Sequence, residues 1–209
     1  SGAGIYRPVN MYVGNKKRIV LNGVRIRTLS LYPAAVEVTV QTTGVGEVRV
    51  VIEKDGREVA SGSCEQTGGN AVFALEIRDA KLWSVDTPEL YTCRAFFDDD
   101  EQSVNFGIRT LTCDHTDGLS INGERVIIRG ACIHSDNGIL GARSYPEAEE
   151  RKVKILKKNG YNAIRYAHNH CAKSLLDACD RLGMLVMDEY SDMWYIHKNR
   201  YDYATYLEE

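Results

Sequence analysis

Apolar and polar residues alternate along several stretches of the first half of the chain. Val36-Glu37-Val38-Thr39-Val40 has this pattern, as do Val48-Arg49-Val50 running on through Val51-Ile52-Glu53, Ala71–Ile77 and Tyr91–Phe97. A period of two predicts strands with one buried and one solvated face. Turn formers separate these runs: Gly44-Val45-Gly46, Lys54-Asp55-Gly56, Thr67-Gly68-Gly69-Asn70 and Asp98-Asp99-Asp100. Asp98-Asp99-Asp100-Glu101 reads as a hairpin loop and not as a calcium site.

About seven short strands over roughly a hundred residues predict an immunoglobulin-like β-sandwich. The period changes near Asp114. Asn122-Gly123 reads as a tight hairpin turn and Arg125–Gly130 as a strand. A helix follows, with Ser144 as N-cap, Pro146 in its first turn, acids Glu147, Glu149 and Glu150 near its start, and Lys152, Lys154, Lys157 and Lys158 toward its end. Gly160 stops it. The lysine run reads as a solvated helix face. Asn162–Ala167 is the next strand, and Leu175, Leu176, Cys179 and Leu182 recur at helical spacing before Gly183. Met184-Leu185-Val186-Met187 is a continuously apolar strand, as burial on both faces of a parallel sheet requires. The order β-α-β-α-β fits the start of a TIM barrel or of a doubly wound sheet. No G-x-G-x-x-G follows the first strand, which weighs against dinucleotide binding.

Composition narrows the function classes. The 209 residues are 44% hydrophobic and 26% charged, and 26 basic against 29 acidic residues give a net charge of -3. That balance favours neither nucleic acid nor an anionic membrane as partner. No apolar run reaches the ~18–20 residues of a membrane span. Ser1-Gly2-Ala3-Gly4 offers no basic region and no apolar core of a signal peptide, so cytoplasm and periplasm both stay open. The six cysteines (Cys64, Cys93, Cys113, Cys132, Cys171 and Cys179) lie mostly in apolar strand or helix contexts, where a thiol packs as a small hydrophobe. None is in C-x-x-C spacing, which weighs against structural zinc.

Position carries the functional signal. Polar residues cluster after each strand of the α/β half: His134, Ser135 and Asp136 after the first; Arg165, His168, Asn169 and His170 at the second; Asp188, Glu189, Asp192 and Trp194 after the third. In a barrel all three clusters share the rim on which active sites are built. Each residue also has a plain structural reading. His134 would be buried against backbone, Arg165 would pair with Asp188 or Glu189, and Trp194 would be core and not a stacking platform for a sugar ring. His168 and His170, two residues apart on an extended segment, would together face one metal, with His134 as a third ligand of a metal-dependent hydrolase.

A series of phrases resembles family 2 of the glycoside hydrolases, of the β-galactosidase type. Gly4-Ile5-Tyr6-Arg7 looks like the end of that family's N-terminal jelly roll. Leu82-Trp83-Ser84 with Thr87-Pro88-Glu89-Leu90-Tyr91 is similar to a late phrase of its immunoglobulin-like domain. Phe106-Gly107-Ile108-Arg109 resembles the link into its barrel. Asn122-Gly123 with Arg129-Gly130-Ala131-Cys132-Ile133-His134, Asn162-Ala163-Ile164-Arg165 with His168-Asn169, and Cys179-Asp180 and Leu182-Gly183 with Val186-Met187-Asp188-Glu189 resemble the first three barrel strands and the second helix.

The resemblance implies a tail of a jelly-roll domain over 1–10, an immunoglobulin-like sandwich over 11–113 and the first βαβαβ portion of a (β/α)8 TIM barrel over 114–209. It implies a retaining exo-β-glycosidase acting on terminal β-linked sugars, galactosides first, with glucuronides and mannosides as alternatives. His134, Arg165, His168 and Glu189 match positions that line or support the sugar subsite. Asp136, Asn169 and Asp188 adjoin them, and Trp194 is the candidate platform. No cofactor is expected. Met193 stands where some members carry a magnesium-binding acid, and His170-Cys171 follow the His-Asn pair where members often carry proline.

Retaining hydrolysis needs two carboxyl groups about 5–5.5 Å apart. In the family the acid/base is the Glu of an Asn-Glu pair, a dipeptide that occurs nowhere in the 209 residues. Asp188 and Glu189 are neighbours on a strand end and point to opposite sides. Both catalytic carboxylates are therefore expected outside this sequence, the 209-residue chain is expected to be inactive alone, and the unpaired edges of its partial barrel predict self-association. The alternative outside enzymology is a non-catalytic module binding carbohydrate or protein.

Overall fold

The computed structural model describes residues 4–189, which form two compact units, one of Asn10–Ile127 and one joining the segment up to Val9 to the chain from Ile128 onward. In the first unit, β1 (Ile19–Leu31), β2 (Ala34–Thr42) and β5 (Gly69–Glu76) form an antiparallel sheet in the order β1-β2-β5. The second sheet runs β4-β3-β6-β7, from β3 (Gly46–Lys54), β4 (Arg57–Gln66), β6 (Tyr91–Phe97) and β7 (Asp100–Phe106).

Alternation builds the core directly. Val36, Val38 and Val40 of one sheet, and Val48, Val50, Ile52, Cys93, Ala95 and Phe97 of the other, are buried in one cluster with Phe73 and Ile77. At about 25 cal/mol per Å2 of apolar surface removed from water, each of the valine, isoleucine and phenylalanine side chains contributes roughly 1.5–3 kcal/mol, and Ala95 and Cys93 contribute less. The acidic run lies where the sequence predicts a hairpin: Asp98 turns the chain with φ 49° between β6 and β7.

Three further features fix this unit. Tyr91 accepts the Lys81 N–H on its hydroxyl at 2.8 Å and packs its ring 5.7 Å from that of Phe106. Trp83 is buried, with the Arg109 guanidinium 4.5 Å over its ring, and Gly107 lies so close that a Cβ there would stand 2.6 Å from the Trp83 Cβ. The pairing of β1 with β2 shifts register between Ile19 and Val24. At that bulge Ile19 N–H donates to Asp100 Oδ2 at 2.7 Å, and Gln102 Nε2 donates to the Ile19 and Val20 carbonyls, each at 3.2 Å.

A small sheet in the order β10-β9-β8 completes the unit, from β8 (Leu111–Asp114), β9 (Gly118–Ile121) and β10 (Glu124–Arg125). Asn122 (φ 55°) and Gly123 (φ 82°) make the predicted turn. Asn122 also clamps it: its Nδ2 donates to Trp83 O, its Oδ1 accepts Thr110 N–H, and its own N–H donates to Thr110 O, each at 3.0 Å.

The strand predicted at Arg125–Gly130 is a different pair of elements. Only Glu124–Arg125 joins the hairpin, and the parallel strand is β11 (Gly130–Ile133). The intervening apolar run connects β10 to β11 in the chain: Val126 N–H bonds Leu119 O, Arg129 N–H bonds the Asn162 side chain, and Ile127 and Ile128 are exposed.

In the second unit, β11, β12 (Ala163–Tyr166) and β13 (Leu185–Asp188) lie parallel in the order β11-β12-β13, joined through α1 (Pro146–Lys158) and α2 (Lys173–Leu182). Barrels and doubly wound sheets share this order, so the strands alone do not separate them. Pro146 opens α1 and Gly183 closes α2 in the left-handed conformation, as predicted. Ser144 is not the N-cap. Tyr145 holds that position, and the Ser144 hydroxyl donates instead to the Glu149 carboxylate at 2.9 Å. Ile133, Ile164, Tyr166 and Val186 face the helices in one cluster with Val153, Leu175 and Ala178. The registered neighbours Cys132, Arg165 and Met187 are exposed. Burial of Met184–Met187 on both faces is thus not observed: Met184 is buried and Met187 is 65% exposed, because the helices cover the alternate set of side chains.

Candidate functional site

Period two carries the exposed-face positions outward from the strand ends. His134 continues the Cys132 side of β11, and Glu189 continues the Met187 side of β13, on the face that Arg165 occupies in β12. Backbone bonds between strands hold these ends together: Ala167 N–H bonds Ile133 O at 3.0 Å, and Glu189 N–H bonds Tyr166 O at 3.3 Å.

Arg165 turns both its Nε (2.6 Å) and one terminal nitrogen onto Glu189 Oε1. Glu189 Oε2 faces His168 Nδ1 at 3.9 Å, and the His168 ring lies 5.2 Å from that of His134. His134 Nδ1 lies 2.8 Å from Ala167 O. A carbonyl only accepts, so in neutral His134 the proton is on Nδ1 and Nε2 is an acceptor. Of the predicted site residues, His134, Arg165, His168 and Glu189 come together. They offer donors (the remaining guanidinium N–H groups, the His168 ring) beside acceptors (Glu189 Oε2, His134 Nε2), an array suited to the hydroxyls of a polyol.

The others lie elsewhere or do different work. Asp188 Oδ1 accepts Cys171 N–H at 2.9 Å and its Oδ2 faces His170 Nδ1 at 3.3 Å, so it ties down the loop after β12. Asp136 accepts Gly138 N–H at 2.9 Å and shapes a short turn. Asn169 is exposed. His168 and His170 face different carboxylates, and among the described residues no three His, Cys, Asp or Glu side chains are grouped to hold a metal ion. Asp192, Met193 and Trp194 lie outside the described residues. All six cysteines are free thiols, and burial, reinforced by the Asp188 charge, pushes Cys171 up to about 12.

Two supporting residues carry no signal in the sequence pattern. Glu149 reads as a helix-start acid, yet it is only 3% exposed. It gathers the Ser144 hydroxyl, the Asn137 amide at 3.0 Å and the Lys152 ammonium at 3.0 Å, and so anchors the loop between β11 and α1. Tyr166 reads as strand core, but its hydroxyl meets Ser135 Oγ in a short hydrogen bond. Burial raises its pKa, against the opposing hydrogen bond from Ser135 and the Arg7 charge.

The same chain, compared with known proteins, matches the family described as "Glycosyl hydrolases family 2" over residues 22–109, and "Glycosyl hydrolases family 2, TIM barrel domain" over residues 115–200. It is 38% identical to Beta-galactosidase BoGH2A of Bacteroides ovatus over the whole chain and 27% of that protein. It is 30% identical to a putative beta-glucuronidase of Formosa agariphila over 92% of the chain and 20% of that protein. A solved family 2 glycosyl hydrolase of Bacteroides cellulosilyticus superposes with a TM-score of 0.89 at 35% identity, covering the whole chain and 29% of that structure. A β-glucuronidase of Ruminococcus gnavus, solved with an N1-substituted uronic isofagomine, superposes with a TM-score of 0.73 at 26% identity over 83% of the chain and 30% of that structure. The chain thus spans about a quarter of the length of these two curated relatives.

Proposed function

Because the chain belongs to family 2 of the glycosyl hydrolases and spans that family's immunoglobulin-like domain and the start of its TIM barrel, we propose that it is part of a retaining exo-β-glycosidase that removes terminal β-galactosyl residues. The observation that carries this reading is the Arg165–Glu189–His168 cluster beside His134, at the carboxyl ends of three parallel strands. That is where barrel enzymes build their sites. Full-length coverage of the chain by a relative named a β-galactosidase supports galactosides. Glucuronides are the second reading, supported by relatives and solved structures named β-glucuronidases.

In this proposal His134, Arg165, His168 and Glu189 bind and orient the sugar; Asp136 and Asp188 serve it only by holding the loops after β11 and β12, and Asn169 and Trp194 are assigned to its margin. Residues 1–10 are the tail of a jelly-roll domain, 11–113 the sandwich and 114–209 barrel. Bond cleavage needs one carboxyl group to protonate the leaving oxygen and another to capture the anomeric carbon. Asp188 and Glu189 are turned to different partners and do not flank one bond. The catalytic pair is therefore assigned to sequence outside these 209 residues, and this stretch alone is inactive. Among the described residues β11 and β13 are the edges of the parallel sheet, and such edges give the stretch a tendency to self-associate.

The test is a panel of nitrophenyl β-glycosides offered to the 209-residue chain and to the longer protein that contains it. The longer protein should hydrolyse the galactoside best, Arg165→Ala and His168→Ala should each lower its turnover about 100-fold, and the short chain should stay at background. Turnover by the short chain that Glu189→Gln abolishes would refute this division of labour.

A further inference from the structure

We propose that Arg7, a residue outside the α/β stretch, is a positioning residue for the candidate sugar site, acting through Ser135 and Tyr166; the inference rests on the glycosidase reading above. Residues 5–7 grip the loop between β11 and α1 near both of its ends. At the far end, Ser144 N–H donates to Tyr6 O at 3.0 Å and Arg143 Nη1 donates to Ile5 O at 3.1 Å. At the near end, Arg7 Nη2 donates to Ser135 Oγ at 3.4 Å across 128 positions of sequence, and its charge acts on the Tyr166 hydroxyl, opposing the upward pull of burial on that group. Arg7 is half-buried and stacks over its neighbour Tyr6, 5.2 Å from the ring centre, which restricts where its charge can lie.

The Ser135 hydroxyl that Arg7 meets is bonded in turn to the Tyr166 hydroxyl, and each of these two residues places a member of the site. Ser135 directly follows His134. The Tyr166 carbonyl accepts the Glu189 N–H, and Ala167, next in sequence, presents the carbonyl that fixes the His134 ring. One cation thus fixes the relative position of the β11 and β12 ends, and through them His134 and Glu189. It touches none of the atoms expected to meet the sugar. Displacements of about 1 Å at such groups cost on the order of 100-fold in rate.

The experiment uses the longer protein, nitrophenyl β-galactoside and nitrophenyl β-glucuronide as probes, and the variants Arg7→Met, Arg7→Lys and Ser135→Ala. Arg7→Met should lower kcat about 10- to 100-fold with KM changed less than about threefold and the melting temperature nearly unchanged. Arg7→Lys, which keeps the charge, should recover part of the loss. The double variant Arg7→Met/Ser135→Ala should be no worse than the poorer single one, because both lie on one line of contacts. An unchanged kcat, or independent multiplication of the two effects, overturns the proposal. If Arg7→Met does not fold, Ser135→Ala decides by the same criterion for kcat. If the unaltered protein hydrolyses neither probe, the glycosidase reading is what has failed. Hydrogen exchange in the 209-residue chain then decides the positioning role. Arg7→Met should speed exchange at Ala167 and Glu189 about tenfold or more while β6 is unchanged, and unaltered exchange at both overturns it.

Discussion

Gly107 shows how one missing side chain governs a junction. Its Cβ position is occupied by Trp83, which is buried and capped by Arg109, so Trp83 cannot retreat. Gly107→Ala should cost about 2 kcal/mol or more through overpacking, read as a lowered urea midpoint with unchanged slope; a midpoint equal to the original would show that Trp83 yields. The Lys54–Glu89 pair has a pH signature. Burial pulls the Lys54 ammonium down, but the hydrogen bond it donates to Glu89 at 2.6 Å and the Glu89 charge outweigh it, and the net shift is upward. The Lys54 hydrogen bond holds Glu89 below its usual range against burial. A depressed carboxylate contributes stability above its unfolded value, near ~4.3, and loses it as pH falls through the folded one. The stability gap between the original chain and Glu89→Gln should therefore be open at neutral pH and close on acidification, as thermal melts across pH can record. A gap that widens in acid would contradict the sign.

At the scale of elements, the alternating strands β2, β3, β5 and β6 were legible because one face is apolar and the other is not. β4, with Gly62 between Ser61 and Ser63, and β1, with its register shift, break that alternation and are defined by their partners instead. Val126-Ile127-Ile128 is apolar enough to read as strand yet belongs to neither named strand, since in the chain it is the connection from β10 to β11. The site divides the same way. His134, Arg165 and Glu189 stand at strand ends where polarity interrupts an apolar run, while Arg7 and Glu149 act through contacts that no local pattern announces. The hairpin turn was legible as a turn and not as a clamp. Asn122→Ala removes two side-chain hydrogen bonds and puts alanine at a positive φ. A loss of about 2 kcal/mol is expected, with Asn122→Asp intermediate because it keeps only the acceptor. Equal stability of all three in chemical denaturation would deny the clamp.

For the whole molecule, the clamp bears on where the sandwich ends. The compact unit runs from Asn10 to Ile127, beyond the boundary at 113 that the change of period proposes. A polypeptide of 10–127 is expected to unfold cooperatively. One of 10–113 lacks Asn122 and should be weaker by about 2 kcal/mol, which circular dichroism in urea measures; equal midpoints would place the hairpin outside the folding unit.

The bulge at the start of β1 has a consequence for how the sandwich meets other chains. β1 is an edge strand, the place where a sheet can recruit a stranger. There the Ile19 amide is held by Asp100, and the Ile19 and Val20 carbonyls by Gln102, all from the opposite sheet. A foreign strand arriving at this rim meets hydrogen-bonding groups already engaged and a carboxylate it would have to strip of its partner. The sandwich carries, folded into its own seam, a guard against being copied into a fibre.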